Sequence, residues 1–164
     1  MIFVTVGTHE QPFNRLVGYM DKWAAEHDEE VIIQNGFTKT EIKNCKSKDI
    51  FDKEEFDSLI SKARIVITHG GPCCFTSVLK TGKIPVVVPR QHKLGEHVDD
   101  HQVDITREVA RKYNNIIVVD DIDKLGSIIA DYDKITQNMN NRYIEFNNGK
   151  FCEALSGIVD NLFE

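Results

Sequence analysis

Four things are missing from this sequence, and each argues against a class of function. There is no basic excess: 20 Lys and Arg stand against 26 Asp and Glu, for a formal charge of −6. Nucleic-acid binding needs clustered cations along a phosphate backbone, so no nucleic-acid partner is expected. The four cysteines, Cys45, Cys73, Cys74 and Cys152, have neither metal-ligand spacing nor the density of a disulfide scaffold, and read as reduced thiols. No apolar run is long enough to span a bilayer, and M-I-F-V-T-V at the start lacks a positively charged leader. A cytoplasmic protein is expected, one that reaches any membrane by recruitment. Finally, no repeat or low-complexity linker divides the 164 residues. One domain is expected over 1–164, with 136–164 a polar connection and a C-terminal helix.

What is present is an alternation of two periods. Apolar, β-branched runs at 2–6, 30–34, 65–68, 85–88 and 116–119 read as strands, the most apolar of them covered on both faces. A further short strand is expected to end near Ile50 and Phe51. Between the strands, helical spacing appears after Asn14, a candidate N-cap, and again over 54–63, 72–81, 98–112 and 122–132. Phe151, Leu155, Ile158, Val159 and Leu162 mark a terminal amphipathic helix. The fold class is therefore α/β, an open parallel Rossmann-like sheet with helices on both faces. Ligands of such sheets bind at the carboxyl ends of the strands, where two turns, Gly7-Thr8-His9 and His69-Gly70-Gly71-Pro72, are expected.

The second turn feeds a helix with Pro at its first position. Unpaired N–H groups and the helix dipole make such an end a candidate diphosphate site, and a tight turn without ligand is the alternative. Cys73 and Cys74 read as small helix residues in preference to nucleophiles, since no acyl-transfer constellation surrounds them. His97 and His101, four apart, superficially resemble the metal-binding H-E-x-x-H, but Val98 stands where the general-base Glu belongs. The run from Glu96 to Gln102 is read first as hydrogen-bonding groups for a polyhydroxylated ligand, otherwise as a solvated loop. Asp121 and Asp123 form a D-x-D at a helix start, where capping is the preferred reading over a cation site. His9 reads equally as a base, an acceptor contact, a diphosphate contact or a plain turn histidine.

Three stretches in order, V-T-V-G-T-H-E-Q-P-F-N-R-L, T-H-G-G-P-C-C-F-T-S-V-L-K-T-G-K-I-P-V-V-V-P and G-E-H-V-D-D-H-Q, are similar to the C-terminal domain of glycosyltransferase family 28. Within that family the chain resembles the stand-alone catalytic subunits of bipartite bacterial polysaccharide transferases, related to the catalytic subunit of dolichol-linked chitobiose synthesis. The resemblance implies the donor-binding C-terminal half of a GT-B enzyme, inverting and metal-independent, with no cofactor beyond its UDP-sugar substrate. It also implies a membrane-associated acceptor-binding subunit as partner and a lipid-linked saccharide as acceptor, in capsule or exopolysaccharide synthesis. Galactose is the first expectation for the sugar and N-acetylglucosamine the second. Carried over by position, Gly7, Thr8, His69, Gly70, Gly71, Pro72, Cys73, Thr76 and Ser77 surround the UDP. Glu96, His97, Asp99, Asp100, His101 and Gln102 surround the donor sugar, and His9 is the candidate catalytic base unless the partner supplies it. Two positions depart from the family pattern: Ser77 stands where many members have a ribose-binding Glu, and Asp100 where Asn is common. Two rivals stay open: a non-catalytic nucleotide-sugar-binding or assembly subunit, suggested by Ser77 in place of Glu, and a different enzyme on a similar fold, such as a UDP-sugar epimerase, against which stands that those enzymes carry both domains in one chain.

Overall fold

The computed structural model describes residues 1–140 and 148–162; positions 141–147 of the expected polar connection lie outside them. Ile2–Thr5 forms β1, Asn14–Ala25 α1, Val31–Gln34 β2, Lys46–Lys48 β3, Lys53–Lys62 α2 and Ile65–His69 β4. Pro72–Leu79 follows as α3, Val86–Val88 as β5, His101–Tyr113 as α4 and Ile117–Val118 as β6. Leu125–Ala130 is α5, Tyr132–Thr136 α6 and Asn148–Leu162 α7. The strands run parallel in the order β3-β2-β1-β4-β5-β6. This is the expected open, parallel Rossmann-like sheet. Its winding reverses between β1 and β4, so the ligand crevice belongs at the carboxyl ends of those two strands.

The strand period of two sorts the core. Ile2, Val4 and Val6 pack toward Leu16, Val17 and Met20 of α1 and toward Leu125, Ile129 and Tyr132 of α5 and α6. Phe3 and Val66 point the other way, onto Ile60 of α2 and Val78 of α3. Phe3 is fully buried, edge-on to Phe51 and Phe56 with ring centroids 6.0 and 5.5 Å away. Burying a side chain of that size contributes about 1.5–3 kcal/mol, which places the β-branched runs at the centre of the sheet. The edge strand β3, Lys46-Ser47-Lys48, is exposed and charged instead, which discourages pairing with another chain.

Several boundaries differ from the sequence-based expectation for local reasons. Phe13, not Asn14, is the N-cap of α1; the Asn14 carboxamide oxygen accepts from Lys39 N at 3.0 Å and ties down the loop after β2. The short third strand ends at Lys48, two residues before Ile50. Helix α2 begins on Asp52, whose carboxylate accepts from Glu55 N at 2.8 Å, a cap of the usual kind. Helix α4 starts at His101 instead of Val98, because Glu96 is drawn inward and Gly95 takes a left-handed turn at φ +69. The helix expected over 122–132 is broken into a 3-10 turn, α5 and α6, with Tyr132 turned in to donate from its hydroxyl to Ile84 O at 2.6 Å.

Candidate functional site

Strands β1 and β4 pair in register, so their two turns leave the sheet side by side. Between them lies the ring of His69, only 8% exposed. A Cβ on Gly7 would come within 2.4 Å of His69 Cε1, and one on Gly71 within 2.3 Å of His69 Nε2. The glycines thus make room for an imidazole of the protein itself. Gly7 has a second need for glycine, since its φ is +74. A Cβ on Gly70 would meet Gln102 Cβ at 2.8 Å. Burial, and next the positive charge of Arg90, push the His69 imidazole down to about 4. The ring is neutral at pH 7 and donates or accepts without carrying charge.

In front of this ring opens a cleft of about 530 Å³. Of the residues expected around a UDP, Gly7, Thr8, His69, Gly71, Pro72 and Cys73 line it. Its other wall was not anticipated: Ile50, Phe51, Lys53 and Phe56 from the loop after β3 and the start of α2, with Gln34 at the base. Gln34 sets that wall, donating from Nε2 to Thr5 Oγ1 at 3.2 Å and accepting from Phe51 N at 3.4 Å. The cleft therefore has a largely apolar side and, opposite, the N-terminus of α3, where Pro72 brings no N–H, Cys74 N and Phe75 N donate to Gly71 O at 3.0 and 3.4 Å, and Cys73 N is the first-turn donor left over among the described residues. Thr76 and Ser77 lie one turn deeper in α3 and donate to Pro72 O and Cys73 O at 2.6 and 2.8 Å. Burial pushes the Cys74 thiol up to about 11, which makes it inert as a nucleophile.

The six residues expected around a donor sugar fall into three sets. Glu96 and Gln102 are buried and engaged inside the protein. The Glu96 carboxylate accepts two 2.8 Å bonds from Arg15 and one of 3.0 Å from Gln91 N. Gln102 Oε1 accepts from Gly70 N at 3.0 Å and Arg90 N at 3.2 Å, joining the turn after β4 to the loop after β5. Asp100 faces another depression, shared with Asp104, Arg107 and Asp120, and its carboxylate accepts from His92 N at 2.8 Å.

His97, Asp99 and His101 form the third set, which His9 joins. The His97 ring lies 4.7 Å from that of His9 and 4.6 Å from that of His101. Asp99 Oδ1 accepts from Nδ1 of His101 and lies 3.2 Å from Nδ1 of His97. The bond from His101 holds the Asp99 carboxyl below the usual carboxylate range, while burial, followed by the charges of His101 and His9, lowers His97. One ligand atom from each of His97, Asp99 and His101 falls within a 4.8 Å group, a donor set suited to a transition cation more than to Mg²⁺. His9 Nδ1 accepts from Gln11 N at 3.2 Å, so the neutral ring carries its proton on Nε2 and offers a donor there. Asp121 accepts from Asp123 N at 3.2 Å and caps its turn.

The comparisons with known proteins agree with this architecture. The glycosyltransferase family 28 C-terminal domain matches residues 1–152. The UDP-N-acetylglucosamine transferase subunit ALG13 of Yarrowia lipolytica is 37% identical over 71 residues, 43% of this chain and 34% of that protein. Among solved structures, the glycotransferase of kitacinnamycin superposes with a TM-score of 0.56 at 16% identity, over 79% of this chain and 34% of its own. The glycosyltransferase SnogD from Streptomyces nogalater gives 0.47 at 21%, over 72% and 30%. These matches span about a third of each relative's length.

Proposed function

Because the chain belongs to the glycosyltransferase family 28 C-terminal domain family, we propose that it is the donor-binding subunit of a UDP-sugar-dependent, inverting, metal-independent glycosyltransferase. The observation that carries the proposal is the cleft at the reversal point of the sheet, apolar at Ile50, Phe51 and Phe56 and bounded opposite by the positive, N-terminal end of α3. A base ring stacks on the first side and a diphosphate faces the second. His97, Asp99 and His101 then meet the sugar, a hexose, with galactose ahead of N-acetylglucosamine.

An acceptor hydroxyl attacks the anomeric carbon in line, its proton passing to a base as the bond to the UDP oxygen breaks. His9 offers Nε2–H in its neutral form, so it serves the departing diphosphate as a donor, and the base falls to the acceptor-binding partner. Donors aimed at the leaving oxygen do the work that a metal ion does elsewhere. A partner also suits the surface. Phe37, Ile50, Leu94 and Val98, all in loops at the carboxyl ends of strands, are more than half exposed, as are Phe151, Ile158 and Leu162 of α7. Exposed large apolar side chains in such number suit a surface that another protein covers. With no helix among the described residues able to cross a membrane, such a partner would bring the chain to a lipid-linked saccharide in capsule or exopolysaccharide synthesis.

UDP in the presence of a chelator should raise the melting temperature by about 5–10 °C at a hundredfold excess over Kd. No shift with UDP, alongside a clear shift with another nucleotide, removes the proposal. Ser77→Glu should tighten UDP more than 2′-deoxy-UDP, because a carboxylate spans the ribose diol and a hydroxyl bonded to Cys73 O does not.

A further inference from the structure

We propose that Arg90 is the fixed cation of this site, a positioning residue that braces its loops from behind and lends a positive charge, only partly offset by Glu96, to the phosphate end of the cleft. Its side chain is 0% exposed, and arginine is almost never buried to that degree without an anionic partner. Here, among the described residues, the guanidinium is paired with no carboxylate and its Nε has no partner. It donates to Val6 O at 2.9 Å, Gln11 O at 2.8 Å and Glu96 O at 3.1 Å, all main-chain carbonyls. The nearby Glu96 carboxylate is held in two bonds by Arg15, so two cations share one anion around the ring of Phe13, 4.7 and 5.3 Å away.

Three carbonyls could be satisfied by neutral amide donors or by water, without the desolvation of a charge. A buried cation at this place has a use that neutral donors lack. Val6 immediately precedes Gly7, and Gln11 closes the same turn, so the guanidinium lies behind the turn whose front lines the cleft. Away from water its field is weakly screened, and it already bears on the His69 ring between the two glycine turns. The same residue sets geometry. Its side chain joins the 7–11 turn to the 91–97 loop, and its main-chain N–H shares Gln102 Oε1 with Gly70 N, so all three loops of the site meet at one residue.

For its ligand the inference rests on the donor reading above. The test compares wild type with Arg90→Met, Arg90→Gln and Arg90→Lys in calorimetric titrations with UDP, pyrophosphate and uridine, under chelator. Hydrogen exchange is followed at the amides of 7–11 and 91–97. Met and Gln should lose about tenfold or more in affinity for UDP and pyrophosphate while uridine changes by less than about twofold; Lys should keep the phosphate ligands within about threefold. Both loops should exchange faster together in Met and Gln. Equal weakening of uridine and UDP, or unchanged pyrophosphate binding in Gln, overturns the proposal. Should Met fail to fold, Gln retains donors without the charge and decides alone. Wild type that binds pyrophosphate but not UDP refutes the donor reading and leaves Arg90 in place; wild type that binds neither refutes both.

Discussion

The turn after β1 and the turn after β4 stand on adjacent, in-register strands and share one imidazole between them, yet they depend on glycine differently. Gly71 has an ordinary backbone, φ −71, and excludes a side chain only because His69 Nε2 lies where its Cβ would be. Gly7 meets the same ring and in addition holds φ +74. One turn is constrained by its neighbour alone, the other by its neighbour and by its own main chain. A glycine at a strand end therefore reports close approach, but what approaches can be the protein itself.

The difference can be broken experimentally, beginning with the largest effect. Gly7→Ala should cost about 4 kcal/mol, the sum of a left-handed penalty and overpacking against His69, measured by urea unfolding; a loss below about 1 kcal/mol would separate the turn from the ring. Next comes the ring itself. Its folded-state value of about 4 lies below the ordinary 6.5, so as pH falls the unfolded chain takes up the proton first. The stability this group contributes is complete above pH 6.5 and is lost between 6.5 and 4, roughly 3 kcal/mol. Wild type should lose that much more than His69→Gln between pH 7 and pH 4, and equal losses would show that the imidazole is not held neutral.

Gly71→Ala should cost about 2 kcal/mol through overpacking alone. Combining it with His69→Ala should recover most of that loss, whereas His69→Ala should recover only part of the Gly7→Ala loss, because the backbone penalty persists. Full recovery in both pairs would erase the distinction between the turns. The smallest effect is the control. Gly82 has φ +75, and no atom of the described residues lies within 4 Å of the point a Cβ would occupy there, so Gly82→Ala should show the backbone penalty by itself, about 1 kcal/mol.

The central strands were legible because Ile2–Val6 and Ile65–Thr68 are apolar on both parities, a pattern that only a doubly covered strand sustains. The crevice followed from the alternation of elements and the position of the glycines. What the sequence concealed are relations over long separations. Arg90 reads as one more charge after V-V-V-P, and nothing local says that it reaches Val6 and Gln11, 84 and 79 positions away. Glu96 and Gln102 read as ligand groups because their residue types suit hydroxyls, but the same capacity is spent on Arg15, Gly70 N and Arg90 N. The apolar wall at Ile50 and Phe51 looked like a strand end; their place became visible only once Gln34 was seen to hold Phe51 N. The signal available beforehand was weak, two large apolar residues ahead of a capped, acidic helix start.

Helix α7 has a consequence for supply. Phe151, Leu155, Ile158, Val159 and Leu162 face water along a single helix, each between 42% and 73% exposed. Such a stripe costs little in a dilute chain and becomes a liability as copies accumulate, since one stripe is the nearest cover for another. A chain built this way is best produced in step with whatever shields it, so that stoichiometry, more than the stability of the sheet, sets how much of it stays in solution.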